Sequence, residues 1–490
     1  MDIRKDAKLL ALIQIFTAIL MVVPLLVSLS FNETEVVKAF IKTIALILVV
    51  SITTLILTRK ADISTLKQRD GFFFVTFTWI IAAAFGAIPL VLSGDYPNYS
   101  FAFFEVMSGF TTTGATCLSD IECCHKGILF WRSMTNWLGG MGIVVLFMAL
   151  LPALGAGANL GASSFQLLGA ESVGPVKGKL TPKTKTTALV LWGIYIGFSL
   201  LETVLLLFGG LNLYDAITVT FSSIATAGFC VKNASIGAFN SAYVDTVVMI
   251  FMLIAGINFS LYYKAFTGKL KSVLKDSELR CYLFLWLIAS LLVAIQLTGS
   301  SFYNSFAQSF RYASFHIASI MTTTGFSTTE YMAWPSFSIM LLVIMMFVGG
   351  CAGSTGGGIK VTRIQTMAKL ISNNLKKKIH PSSVSKIRIG KDIVHDDTVT
   401  SIAAFCAMYF FTWFAGTLIL TLTGQGLDTC MSASLLSIGN IGLGIGRVSP
   451  SGNFSIFPNW ALWVCSFEML LGRLELFTVY VLFSKSFWKK

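Results

Sequence analysis

Long apolar runs separated by short polar links dominate the chain, and their lengths fall into two classes. Runs near twenty residues are long enough, at 1.5 Å per residue, to cross a hydrocarbon core about 30 Å thick. They are Leu9–Leu29, Val36–Leu57, Gly71–Leu92, Gly127–Leu151, Thr187–Phe208, Tyr243–Tyr263, Tyr282–Thr298, Val399–Thr423 and Asn459–Phe483, with a further long segment from Ser336 onward. Between them lie Ser100–Phe110, Leu213–Ile224, Phe306–Met321 and Leu427–Ile438. These are too short to span and too apolar to be exposed loops, a length that predicts re-entrant helices. Two carry an aspartate near their start, Asp215 and Asp428, which suits an N-cap. The first run follows a charged start and lacks a small-residue cleavage site, so it reads as a retained helix rather than a signal peptide.

The order helix, short helix, polar turn, helix recurs four times after a leading pair. This divides the chain into the pair (1–70) and repeats at 71–186, 187–281, 282–398 and 399–490, about ten spanning helices in all. Each short helix runs into a similar stretch. The first is Thr112-Thr113-Gly114, the second Thr226-Ala227-Gly228, the third Thr323-Thr324-Gly325 and the fourth, more divergent, Asn440-Ile441-Gly442. The four glycines lie 114, 97 and 117 residues apart, too long a period for a solenoid and suited to a small membrane module.

Composition sharpens the class. The chain has 490 residues, 55% hydrophobic and 12% charged, with a mean hydropathy of +0.77. A net charge of +13 would suggest nucleic acid in a soluble protein. Here most of the 36 Lys and Arg fall in links on one side, a positive-inside bias that puts both termini in the cytoplasm. The nine cysteines show no metal-ligand spacing; Cys117, Cys123 and Cys124 share a polar loop, which leaves a disulfide there open. The four histidines are scattered, and no hydrolase triad or HExxH appears, so the chain does not read as an enzyme.

Irregular backbone at membrane depth is tolerated only where protein buries it or a watery cavity receives it. Four such stretches, each behind a re-entrant helix, satisfy this together by lining one pore. Their carbonyls would replace an ion's water shell, with glycine supplying positive φ without a Cβ clash. Neutral oxygens suit a large monovalent cation better than Mg²⁺ or Ca²⁺, whose sites favour carboxylates. The helix C-termini would add the negative ends of their dipoles.

These residues resemble the TrkH/TrkG potassium-uptake proteins of bacteria, in the superfamily with KtrB and the plant HKT transporters. The resemblance covers essentially the whole chain. It implies an all-α polytopic membrane protein with four membrane–pore–membrane repeats around a pseudo-fourfold pore, preceded by an extra helix pair. It implies K⁺ as the transported ion, held at the twelve residues of the four stretches named above, since all four copies keep the glycine. Unlike a TVGYG filter, only the fourth copy has a second glycine, Gly444. The resemblance also implies uptake across the inner membrane, a homodimer, and a cytosolic nucleotide-binding regulator of the TrkA type, with no nucleotide on this chain. H⁺- or Na⁺-coupled symport and a Na⁺-permeable relative stay open as alternatives.

Two further features stand out. Gly349, Gly350, Gly353, Gly356, Gly357 and Gly358 fall within ten residues, and each glycine costs a helix about 1 kcal/mol relative to alanine. A loop inside the membrane follows, and the resemblance implies that it gates the pore. The phosphate-cradle pattern GxxxxGK[ST] is not met, because Ile359 follows Gly358. Arg473 lies about 14 residues, or some 21 Å, into the last apolar run, where a charge is costly and normally faces a pathway. We expect it to donate to carbonyls of the 349–358 loop. Neither Glu468 nor Glu475 sits one helical turn away to neutralise it. Asp120 and Glu122 follow the first filter stretch, and Glu105 lies in the first re-entrant helix. The segment Lys360–Asp397 carries nine basic residues, suited to lipid head groups and to a partner.

Overall fold

The computed structural model describes residues 3–61, 68–142, 184–381, 386–390 and 392–489. It is all-α apart from a two-stranded ribbon pairing Arg388–Ile389 with Asp392–Ile393. The leading pair comprises α1 (Ile3–Leu20) and α2 (Val22–Ser30), nearly continuous across Met21, and α3 (Thr34–Leu57). Both α1 and α3 pack on α4 (Gln68–Leu92), which opens the first repeat. That repeat continues with α5 (Tyr99–Phe110) and α6 (Lys126–Gly140); residues 143–151 of the expected second helix lie outside the described residues. Repeat two is α7 (Thr184–Phe208), α8 (Leu213–Ile224), α9 (Ala242–Ala255) and α10 (Phe259–Phe266). Repeat three is α11 (Ser277–Gly299), α12 (Phe306–Met321), α13 (Ser336–Phe347) and α14 (Val361–Ile379). Repeat four is α15 (Asp396–Thr421), α16 (Leu427–Gly439) and α17 (Asn459–Arg473).

Among the described residues, six helices are long and apolar enough to span, or seven if the bent pair α9–α10 counts as one. The difference from about ten lies in the closing helix of each repeat. The expected helix Tyr243–Tyr263 bends by 93° between α9 and α10. Gly256 is a poor helix former there, and Asn258 starts a new helix by accepting from Ser260 N at 2.9 Å. The expected helix Asn459–Phe483 stops at Arg473, where Glu475 (φ 54°) and Leu476 (φ 57°) turn left-handed. Asp215 and Asp428 are not caps: the caps are Asn212, which accepts from Asp215 N, and Gly426. Both aspartates sit in the first turn instead, where they still complement the helix dipole.

The repeats close into a ring. The closing helix of each repeat packs on the short helix of the next: α6 on α8, α9 on α12, α13 on α16, and α17 back on α5. Every short helix is thereby enclosed by its own repeat and its neighbour. All of α5 from Ala102 onward is buried, although this part carries Glu105 and Ser108. Outward faces carry the apolar side chains instead; Leu57, Phe208 and Leu422 are 78, 81 and 77% exposed, as lipid contact requires. The side on which the short helices begin is called upper below.

Candidate ion-conduction site

Each short helix ends in the same backbone device. In the first, Thr112 N donates to Gly109 O at 3.0 Å and Thr113 N to Ser108 O at 2.8 Å. The same pair of bonds joins Thr226 and Ala227 to Ser223 and Ser222, Thr323 and Thr324 to Ile320 and Ser319, and Asn440 and Ile441 to Ser437 and Leu436. This is a Schellman ending, which needs a left-handed residue just past the helix. Thr112 (φ 56°), Thr226 (φ 53°), Thr323 (φ 63°) and Asn440 (φ 52°) supply it. Asparagine takes this conformation readily, but a β-branched residue there is a genuine outlier, and its recurrence in the three threonine copies implies that the surroundings enforce it. Two residues on, Gly114, Gly228 and Gly325 are left-handed as well (φ 78, 75 and 86°). Gly442 is not; the need for glycine there is close approach alone.

The four stretches touch in cyclic order. A Cβ on Gly114 would fall on the Ala227 carbonyl oxygen, one on Gly228 on the Thr324 carbonyl oxygen, and one on Gly325 2.5 Å from Gly442 Cα. A Cβ on Gly442 would lie 3.2 Å from Thr113 O and 3.3 Å from Gly114 O, which closes the circle. Thr112, Thr113, Thr226, Ala227, Thr323, Thr324, Asn440 and Ile441 are all fully buried. Asn440 Nδ2 donates to Thr113 Oγ1 at 3.0 Å and to Met469 O at 2.9 Å, a tie from the fourth stretch to the first. In the first and third stretches, hydroxyl pairs stiffen the strip: Thr111 with Thr113 at 2.9 Å and Thr322 with Thr324 at 2.7 Å. Ser108 Oγ and Ser319 Oγ hold the next turn through Ala115 O and Phe326 O.

Directly below lies the glycine-rich segment, a loop between α13 and α14. Gly353 (φ 75°) and Gly358 (φ 65°) take left-handed turns in it. The ends of the loop are held by Gly349 N donating to Ile359 O at 2.9 Å and by Glu278 Oε1, which accepts from Ala352 N and Thr362 N. Gly350 packs against the break in repeat two, where Cys351 N donates to Gly256 O and Phe259 N to Gly353 O. The loop also reaches the left-handed threonines: Gly357 N donates to Thr323 Oγ1 at 2.7 Å, and Thr355 Oγ1 lies 3.1 Å from Thr226 Oγ1. A Cβ on Gly356 would come 2.9 Å from Thr322 O, and one on Gly357 3.0 Å from Asn440 Cβ. The loop therefore sits flush against the lower face of the ring, under three of its four members.

Arg473, 7% exposed, ends α17 beside this loop. Its Nη1 donates to Thr355 O at 2.9 Å and to Thr112 Oγ1 at 3.2 Å, and its Nη2 to Gly139 O at 2.5 Å and Gly140 O at 2.9 Å. One guanidinium thus joins the end of α6, the loop of repeat three and the first stretch. Only a planar fork with five donors can do this. Glu475 does not neutralise it but pairs with Arg363 at 2.6 Å, and Glu468 is hydrogen-bonded to Ser434. Lys360 donates to Gly356 O, a second basic side chain holding the loop.

At the upper mouth, Asp120 and Glu122 bind the second repeat: Asp120 Oδ1 accepts from Asn233 Nδ2 at 2.8 Å, and Glu122 pairs with Lys232 at 3.4 Å. The hydrogen bonds from Asn233 and Cys123 hold the Asp120 carboxyl below the usual aspartate range. A lowered folded pKa stabilises the tie above the ordinary aspartate pKa and loses it only as pH falls through the lowered value. Cys117, Cys123 and Cys124 are free thiols. Glu105 lies behind the first stretch and accepts from Cys117 N at 2.9 Å. Its partner Arg132 was not singled out from the sequence, although a charge within an apolar run is the same signal that marks Arg473.

The comparisons with known proteins agree with this architecture. Residues 36–490 match the family model TrkH, described as a cation transport protein. The chain is 35% identical over 494 residues to the Trk system potassium uptake protein TrkH of Escherichia coli, covering 100% of both chains. It is 38% identical over 430 residues to that of Vibrio parahaemolyticus, covering 86% of this chain and 87% of the relative. The crystal structure of the potassium transporter TrkH from Vibrio parahaemolyticus superposes with a TM-score of 0.89 at 32% identity, covering 100% of both chains. With its multi-pass fold and four-repeat ring, the chain belongs to the TrkH family of cation transport proteins, ion transporters of the inner membrane rather than enzymes.

Proposed function

We propose that the protein takes up K⁺ through a filter formed by the four stretches, with the 349–358 loop and Arg473 as its gate. The single observation that carries this reading is the closed contact circle Gly114, Gly228, Gly325, Gly442. Four helix C-termini and four irregular strips meeting there can replace a hydration shell with neutral oxygens. The loop hydrogen-bonded under the ring accounts for a closed pathway, and the guanidinium adds an electrostatic barrier to cations. Upper is then the periplasmic side, in line with the basic lower links. The names of the relatives support K⁺ as the ion.

The basic segment after the loop is the natural place for a cytosolic TrkA-type regulator, since α14 carries the loop's lower end directly to Lys376, Lys377 and Lys378. A homodimer completes the assembly. Reconstituted protein should take up Rb⁺, with external K⁺ suppressing uptake at least about tenfold more effectively than Na⁺, as one hydrogen-bond equivalent of discrimination requires. Uptake that persists without Na⁺ or proton gradients marks a channel; uptake that vanishes without one of them marks symport. Equal suppression by K⁺ and Na⁺ would exclude a K⁺ filter.

A further inference from the structure

Behind the upper half of the ring, a buried ion pair joins the first two repeats. Glu105, on α5, is fully buried and Arg132, on α6, is 2% exposed; Arg132 Nε donates to Glu105 Oε1 at 2.6 Å. Each group makes one further bond, to a strip. Glu105 Oε2 accepts from Cys117 N at 2.9 Å, three residues beyond Gly114. Arg132 Nη1 donates to Cys230 O at 2.9 Å, two residues beyond Gly228. The guanidinium also lies 3.6 Å over the ring of Phe229, which directly follows Gly228.

This is the most buried ion pair among the described residues. Burying such a pair is seldom better for stability than packing apolar side chains into the same space. Nor does the fourfold plan require it: nine residues before the other filter glycines stand Val219, His316 and Ala433. The chain keeps two charges where an apolar contact would fill the volume, and each partner directs one hydrogen bond to one of two adjacent strips. Charge-assisted bonds from a planar fork are short and direction-specific, so they fix a spacing better than dispersion contacts do.

We propose that Arg132 and Glu105 are positioning residues for ion discrimination: they hold strips one and two apart at a K⁺-sized spacing. The inference rests on the reading of the strips as a filter. A carbonyl cage discriminates against the smaller Na⁺ to the extent that its ligands are kept from closing around it. The pair resists that closure between repeats one and two, where the strips have left their helices and have fewer bonds of their own.

The test uses a double variant, Glu105→Leu with Arg132→Met, which removes both charges so that neither is left buried alone. Wild type and variant are reconstituted in parallel, and Rb⁺ uptake is titrated with K⁺ and with Na⁺. The inference predicts thermal stability in detergent at or above wild type, together with a K⁺-over-Na⁺ preference about tenfold weaker, the weight of one charge-assisted hydrogen bond. A folded double variant with wild-type preference would overturn it. Should that variant fail to insert, Arg132→Lys decides. It keeps the charge beside Glu105 but cannot reach Cys230 O from the same position, so weakened preference supports the proposal and unchanged preference overturns it. A wild-type protein that does not distinguish K⁺ from Na⁺ would be a different result, since it would remove the filter itself.

Discussion

Alanine in place of Gly114 should abolish K⁺-selective uptake while leaving the helical scaffold in place. Two physical effects combine there. The residue has φ 78°, a region that costs an L-residue roughly 1–2 kcal/mol. The added Cβ would also land on the Ala227 carbonyl oxygen, which is backbone and cannot swing aside. The second strip must move, and with it the contacts that Gly228 makes to Thr324 and Gly325. Displacing ligating groups by ~1 Å is the scale on which losses of roughly a hundredfold arise. We expect Rb⁺ uptake to fall by about that factor, with gel-filtration behaviour and helix content unchanged, because α5 and its packing partners are untouched. Near-normal selective uptake by the alanine variant would mean that the ring is not the conducting element.

The opposite change is expected at Arg473. Replacing it with alanine removes donors to Thr355 O, Thr112 Oγ1, Gly139 O and Gly140 O in one step. Hydrogen bonds to a charged group contribute about 1.5–3 kcal/mol each. Losing even one should therefore shift the loop's closed–open balance about tenfold or more. The positive charge beneath the proposed filter disappears as well. Uptake of Rb⁺ into proteoliposomes should rise by at least that factor, measured against equal amounts of inserted protein. Arg473→Lys should give an intermediate rise, since an ammonium keeps the charge but cannot reach all four acceptors. Unchanged or reduced flux in Arg473→Ala would count against a gating role for this residue.

Much of this was legible in the residues. Segment lengths alone marked out the short helices, and the structure places α5, α8, α12 and α16 where the short runs are. The fourfold spacing of glycines marked the strips. What escaped the reading has identifiable physical causes. The left-handed turn is shared between the glycine and the residue two before it, and nothing in a threonine's own propensity suggests φ near +55°. Only the repeated Schellman bonds impose it. The broken closing helices were missed because long apolar runs lie on both sides of Gly256-Ile257-Asn258 and of Arg473-Leu474-Glu475. A hydropathy window averages over a break of three residues. Arg132 was passed over because it stands near the polar start of α6, where a charge looks solvated. Only the packing of α6 between α5 and α8 buries it.

The loop illustrates how breaks in separate repeats become one device. Gly139 and Gly140 end α6 and Gly256 ends α9, so two interrupted helices present carbonyls to Arg473 and to the loop of repeat three. Arg473 and the backbone of residues 351–359 satisfy many of them. Buried carbonyls left without partners are costly, so under the proposed gating the groups the loop releases need water or a hydrated cation in exchange.

The most direct measurement is the position of the ion itself. Crystals grown with Rb⁺ in place of K⁺ can be read by anomalous scattering. The account predicts peaks on the axis encircled by Gly114, Gly228, Gly325 and Gly442, level with the strips that follow the four short helices. A ring with no anomalous peak, or Rb⁺ bound only elsewhere in the fold, would contradict it.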